Sequence, residues 1–272
     1  MNKPLVISFS GGKTSAYMAV RLKAVNQGRK LITVFANTGQ EREETLRFVD
    51  AVDKAYGLNV VWLEAKVTHE NRIGTAHTVV NFDTADRLGV VFEEVIKKYG
   101  IPNVAWLHCT RELKQQPIKS YLRSIGLVKG SYDIAIGIRA DEKSRVNEKK
   151  AKVFSAVYPM IEWDIEKADV NSYWNNQPFT LELKEHQGNC TWCYKKTDLK
   201  HAKLVHEDVS IYDFPRRMEQ LYQKSDKRVF FRKNRNTDQH IQFVQLLDIT
   251  KVNEIPEQLD FGLCQEHCEP FM

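Results

Sequence analysis

Six consecutive residues, Ser10-Gly11-Gly12-Lys13-Thr14-Ser15, combine what an anion site needs. Two glycines let the backbone turn tightly and come close to a ligand. Lys13 brings charge, and Ser10, Thr14 and Ser15 bring hydroxyls. The free amides of a helix starting here favour an anion. The five cysteines are the second source of chemistry. Cys190 and Cys193 form a C-x2-C, Cys264 and Cys268 a C-x3-C next to His267, and Cys109 stands apart. Two thiolates at the first spacing bind one metal or cluster. Arg139 ends an apolar run, and its guanidinium can pair bidentately with phosphate or sulfate. Asp141, Glu142 and Lys143 follow closely, so a structural ion pair is the competing reading.

These groups need elements to hold them. Residues 5–9 read as a buried strand running into the glycine loop, and 14–25 carry helical spacing up to Gly28. A strand over 31–36, a helix over 43–56 stopped by Gly57, and a strand over 59–63 repeat the unit. Helices over 85–99 and 111–125 follow, the second kinked or split at Pro117. A strand over 132–138 and a helix over 165–174 complete the pattern, while 66–81 is polar and takes no assignment. Alternation of this kind predicts an α/β fold with a doubly wound, mostly parallel sheet. The expected division is a nucleotide-binding domain over 1–180 and a C-terminal α-rich, cysteine-bearing appendage over 181–272. The five tryptophans are expected mostly in the core.

The chain has 272 residues, 42% of them hydrophobic, which excludes a disordered chain. No apolar run is long enough for a membrane span, and the start is too short in apolar residues for a signal peptide, so a cytoplasmic protein with no membrane partner is expected. An odd cysteine count points to metal or redox chemistry rather than a disulfide framework. The net charge of +5 hides an asymmetry. Residues 195–235 carry twelve Lys/Arg against six Asp/Glu, and 236–272 carry one Lys against seven acids. The first stretch reads either as a nucleic-acid face or as a solvated helix surface. Within it, residues 212–217 and 228–235 mix aromatic and basic side chains, which suits base stacking or, for Phe230-Phe231, ordinary core packing.

The loop is not a Walker A loop, because the required first glycine falls at Ile7. That removes a kinase or GTPase reading. The Ser-Gly-Gly-x-Thr-Ser pattern instead resembles the PP-loop of the adenine nucleotide α-hydrolase superfamily. Within it the chain resembles the phosphoadenosine phosphosulfate reductase family and the related DNA phosphorothioation sulfurtransferases. Asn37-Thr38-Gly39 with Glu44-Thr45, Cys109-Thr110 with Lys114 and Pro117, and Gly137-x-Arg139 with Ser144-Arg145 are similar to further family elements, in the family's order.

The resemblance implies a Rossmann-like sheet and an adenine nucleotide, either ATP or a sulfonucleotide (PAPS or APS). It implies an enzyme that is either an ATP pyrophosphatase and adenylylating sulfurtransferase or a sulfonucleotide reductase. Mg²⁺ is expected if ATP is split. A sulfur donor or reductant protein is an expected partner, and a nucleic-acid substrate would use 195–235. The nucleotide would contact Ser10, Gly11, Gly12, Lys13, Thr14, Ser15, Asn37, Thr38, Gly39, Gly137 and Arg139, with Lys13, Lys114 and Arg139 catalytic. Cys109, Cys190, Cys193 and a tail cysteine, Cys268, would hold a [4Fe-4S] cluster, although Thr110 stands where cluster-bearing relatives have a second cysteine. A four-cysteine zinc site and metal-free redox thiols remain open beside it. Cys264 is the expected catalytic nucleophile of a reductase, helped by His267: it keeps the Cys-to-His spacing of the reductases' C-terminal nucleophile but lacks the flanking Glu and Gly. A non-catalytic nucleotide sensor or nucleic-acid-binding module is the alternative from another class.

Overall fold

The computed structural model describes residues 3–26, 28–223, 228–254 and 271. Its centre is a six-stranded sheet made of β1 (Leu5–Ser8), β2 (Leu31–Ala36), β3 (Val61–Lys66), β4 (Ala76–Val80), β5 (Asp133–Ala135) and β6 (Ala156–Val157). The spatial order is β4-β3-β2-β1-β5-β6. All pairs are parallel except β3 with β4. The sheet is therefore α/β and doubly wound, with the order reversing between β1 and β5. Open sheets of this kind bind ligands beyond the strand carboxyl ends at that reversal.

Helices cover both faces. Leu5 and Ile7 of β1 point to one side, where α1 (Lys13–Ala24), α2 (Glu43–Tyr56) and α7 (Lys167–Asn175) bury Met18, Leu46, Phe48 and Trp174. Val6 points to the other side, where α4 (Gln116–Ser124) buries Ile118 and Leu122 and Phe271 packs edge-on against Phe154. A third apolar cluster joins α3 (Val90–Tyr99) to α8 (Asp198–Glu207), α9 (Asp213–Tyr222), α10 (Thr237–Gln245) and α11 (Ile249–Glu254). Two short helices, α5 (Glu148–Phe154) and α6 (Pro159–Glu162), flank β6. No helix among the described residues is long and apolar enough to cross a membrane.

Several elements differ from the periodicity. The helix expected from residue 85 begins at Val90. Asp86 holds the turn before it, accepting from the Leu88 and Val91 amides at 2.8 and 2.9 Å, and Gly89 takes φ +80°. Residues 76–80, read as unassignable, form the antiparallel edge strand. The stretch expected as one helix over 111–125 is split, one of the two outcomes expected at Pro117. A π-helix, Cys109–Gln115, precedes it, with the Gln116 amide bonded to the Arg111 carbonyl, and Pro117 sits in the first turn of α4. Proline lacks an amide proton and fits there without loss. The strand expected over 132–138 pairs only at 133–135. Trp62, Trp174 and Trp192 are core residues, but Trp106 is 56% exposed. Phe230 and Phe231 are a buried pair.

Candidate functional site

β1 delivers Ser10 and Gly11 to the carboxyl edge of the sheet, and α1 starts at Lys13. Gly11 has φ +86°, and a Cβ there would lie 2.6 Å from Thr45 Cγ2. The loop thus rests directly on α2, and only glycine fits. The Ser10 amide donates to Ser15 Oγ at 3.1 Å, and Ser15 Oγ donates to the Gly12 carbonyl at 3.1 Å. The Trp174 indole donates to the Lys13 carbonyl at 2.9 Å and Asn189 Nδ2 to the Ser10 carbonyl at 2.7 Å. These donors occupy the Ser10, Gly12 and Lys13 carbonyls. No side chain caps α1 and no acid stands in its first turn. Helix geometry leaves the opening amides of α1 for an anion.

A cavity of about 330 Å³ opens here, lined among others by Lys13, Thr14, Arg139, Lys167, Asn171 and Asn189. Four of its lining residues, Lys13, Arg139, Lys167 and Lys184, are cationic and one, Glu185, is acidic and pairs with Lys167; the positive excess in one concave site favours an anion. Arg139 forms the ion pair that was the competing reading, and it also reaches the loop. Its Nε and NH2 meet Asp141 at 2.9 and 3.1 Å, and its NH1 donates to Thr14 Oγ1 at 3.1 Å. The ion pair aims the guanidinium at the loop. Gly137 serves packing: a Cβ there would lie 3.1 Å from Ser15 Cα.

Asn37, Thr38 and Gly39 do not line this cavity. Asn37 Nδ2 donates to Glu64 Oε1 at 2.6 Å and to the Asp86 carbonyl at 2.8 Å, and its Oδ1 accepts from Gly39 at 3.2 Å. Asn37 therefore shapes the turn after β2, and burial pushes the Glu64 carboxyl above its usual pKa.

Thr38 faces a second cavity of about 30 Å³, together with Glu41, Lys114, Cys109, Cys190 and Cys193. Lys114, placed by resemblance beside the phosphate loop, sits here instead, 3.3 Å from Glu41. Cys109, on the π-helix, is 3.0 Å from the Tyr194 hydroxyl. The Cys190 thiol is pushed well up by its hydrogen bond to Cys193, then by burial and the Glu41 charge, with Lys196 opposing. Glu41 Oε1 accepts from Thr38 Oγ1 at 3.1 Å, while its Oε2 is buried with no hydrogen-bond partner.

The two cavities share a wall. Glu41 and Cys190 form an antiparallel bridge. The Arg42 amide donates to the Asn189 carbonyl at 2.8 Å and the Thr191 amide to the Gln40 carbonyl at 3.0 Å. Trp192 Nε1 donates to Gln40 Oε1 at 2.6 Å. Asn189 lines the first cavity and the next residue, Cys190, lines the second.

Cys264, Cys268 and His267 lie outside the described residues. Cys109, Cys190 and Cys193 gather around one space, but about 30 Å³ holds little more than a water molecule. Among the described residues no three His, Cys, Asp or Glu side chains stand in metal-holding geometry. As arranged, these residues do not fit a four-iron cluster.

Sequence reasoning missed Glu41, Lys167, Asn171, Asn189 and Tyr194. The signal within reach was Gly188-Asn189 directly before the C-x2-C, a turn pair that brings a chain end back to a loop. Lys167 and Asn171 lie one helical turn apart and so share a face of α7.

Residues 4–88 match the model of the phosphoadenosine phosphosulfate reductase domain. An uncharacterized nin region protein, ORF290, of Escherichia phage lambda is 36% identical over 199 residues, covering 72% of this chain and 67% of that protein. An uncharacterized protein of Methanocaldococcus jannaschii is 31% identical over 123 residues, covering 45% of this chain and 20% of that protein. A solved phosphoadenylyl-sulfate reductase of Candida auris, in a phosphate complex, aligns with TM-score 0.41 and 17% identity over 66% of this chain and 76% of that one.

Proposed function

The chain belongs to the phosphoadenosine phosphosulfate reductase family, and we propose that it is an ATP-dependent sulfurtransferase working across its two adjoining cavities. The observation that carries this reading is the shared wall, in which Asn189 touches the anion loop and Cys190 enters the thiol cavity.

The α1 amides, Lys13 and Arg139 hold the triphosphate and offset the charge that develops as it is attacked. An acceptor oxygen attacks the α-phosphorus, the bond to pyrophosphate breaks, and the acceptor carries the adenylate. Mg²⁺ is the expected counter-ion of the leaving pyrophosphate. A persulfide on one of Cys190 and Cys193, supplied by a sulfur-donor protein, attacks the activated carbon and AMP leaves. The other thiol then attacks the enzyme-side sulfur of the mixed disulfide, releasing the thiolated acceptor and closing a Cys190–Cys193 disulfide. A two-electron reductant reopens it. Glu41 and Lys114, paired beside the thiols, hold the proton balance of that exchange. No step passes through a metal cluster.

The test follows AMP and pyrophosphate from labelled ATP, with bulk nucleic acid as acceptor and a persulfide donor present. Stoichiometric release, lost in Lys13→Ala, is expected. Sulfite formed from PAPS or APS without ATP would replace this reading with a reductase. Nucleotide binding with neither product would leave a sensor.

A further inference from the structure

We propose that the open edge of the sheet, strand β4, pairs antiparallel with β4 of a second copy of this chain, joining two sheets into one. The two-fold axis would pass through Thr78, the middle residue of Ala76–Val80. This inference does not depend on the reaction proposed above.

The two edges of the sheet are built differently. β6 is two residues long, with α5 and α6 close on either side of it in the chain. An edge that short offers little to another strand. β4 is five residues long and pairs only with β3. Among the described residues no group outside β3 bonds its backbone. Thr78 and Val79 are exposed, Val79 to 56%.

Edge strands are ordinarily guarded by charged residues, proline or a bulge. Residues 75–82, Thr-Ala-His-Thr-Val-Val-Asn-Phe, contain no Asp, Glu, Lys, Arg or Pro, in a chain that is 28% charged. The register with β3 runs from Ala76 to Val80 without a break, so no bulge turns the edge away. Burial, then the Lys66 charge, pushes the His77 pKa down, so this ring is neutral at pH 7 as well.

Such an edge takes a strand that brings no charge conflict, and β4 satisfies that condition against itself. Antiparallel pairing about Thr78 sets Thr78 opposite Thr78, His77 opposite Val79 and Ala76 opposite Val80. Thr–Thr and aromatic–β-branched pairs are favourable across strands. His77 and Val79 share one face of the strand. On that face His77 Nδ1 lies 2.9 Å from Ser120 Oγ of α4, and Tyr121 packs edge-on against the imidazole at 5.7 Å. The second copy's imidazole would therefore come over the exposed Val79, and the reverse.

The flank of α4 at this edge is neutral too. Gln116 and Ser124 stand one turn before and after Ser120. Lys119 is turned toward α5, with its ammonium 4.7 Å from the Phe154 ring. Lys66 lies across from Ala76 at one end of β4, so two copies of Lys66 fall at opposite ends of the joint. Glu64, across from Thr78, is buried and accepts from Asn37 at 2.6 Å. A five-residue strand pair with one helix flank is smaller than a standard interface of about 1,600 Å², so the dimer is weak and reversible.

The experiment is sedimentation velocity on the full chain from about 2 to about 200 µM, with hydrogen exchange at both ends of the range. A monomer–dimer equilibrium is expected, with Kd on the order of 10 µM. The outward amides of 76–80 should then exchange roughly fivefold more slowly at the higher concentration, by mass action. Those of 31–36, inside the sheet, should not change and so report that the fold is intact. Val79→Lys should raise Kd more than about tenfold, because it places a charge on the joint. Val79→Thr keeps the branched, neutral side chain and should hold Kd within about threefold. A dimer that Val79→Lys leaves intact, or one whose 76–80 amides gain no protection, would overturn the proposal. So would a chain that stays monomeric throughout, which would leave the edge to a strand of another protein.

Discussion

Replacing His240 with Phe should remove a measurable part of the protein's acid sensitivity. His240 is 1% exposed, stacked on Phe231 at 4.1 Å and 8°, with His201 at 4.5 Å. Neither of its ring nitrogens has a hydrogen-bond partner. Burial first, then the Arg235 charge, pushes its pKa down to about 4, with Asp198 opposing and Arg232 adding a smaller downward push. The unfolded chain keeps an imidazole near 6.5. Above that value both states are neutral and His240 adds no pH dependence. Between 6.5 and 4 only the unfolded state takes the proton, so stability falls as pH falls. At pH 5 the unfolded imidazole is almost fully charged and the folded one about a tenth charged, a difference of about 2 kcal/mol. Glu64 and Glu219, whose carboxyls are raised by burial, act in the opposite sense. They are common to both proteins and cancel in the comparison. Urea unfolding followed by tryptophan fluorescence at pH 7.5 and 5.0 reads the effect. The wild type should lose about 2 kcal/mol more than His240→Phe over that step. At pH 7.5 the variant should be as stable or more so, because two buried unpaired nitrogens become carbons. An identical loss in the two proteins would refute the reasoning.

Three further outcomes are expected. Gly11→Ala should lower stability by about 2–4 kcal/mol, combining left-handed strain with overpacking against Thr45, and adding Thr45→Ser should recover only the packing share; full recovery in urea melts would remove the strain argument. Arg139→Lys should weaken nucleotide binding roughly tenfold by calorimetry, since lysine cannot hold Asp141 and Thr14 in one planar fork; wild-type affinity would leave Arg139 a structural ion pair only. Glu41→Gln should speed alkylation of Cys190 by iodoacetamide at fixed pH, because the lost carboxylate charge no longer raises the thiol; an unchanged rate counts against that coupling.

The parallel core was readable because its strands are buried on both faces and carry near-continuous apolar runs, as in Leu5–Ser8 and Leu31–Ala36. The edge strand Ala76–Val80 was not, since most of its residues are half-buried or exposed and it lacks such a run. The loop 10–15 announced itself by composition. Glu41, Lys167 and Asn189 did not, because their role comes from segments far apart in sequence meeting at one wall. Lys114 and Asn37 were legible as residues but not as positions. The π-helix turns the first toward the thiols, and the second is spent on Glu64 and Asp86. The basic stretch 195–235 was legible as charge, but not the cavity it forms with Asn103 and Trp106.

The pairing of Gln40–Arg42 with Asn189–Thr191 makes the cysteine segment a lever whose fulcrum is the turn after β2. Asn189 grips the anion loop at the short arm and Cys190 rides at the other. The loop and the thiol pair are thus joined by one side-chain hydrogen bond, from Asn189 to the Ser10 carbonyl, and by the backbone that runs from Asn189 into Cys190. Under the proposed reaction, nucleotide in the loop and sulfur on the cysteines would sit at the two ends of one hydrogen-bonded segment.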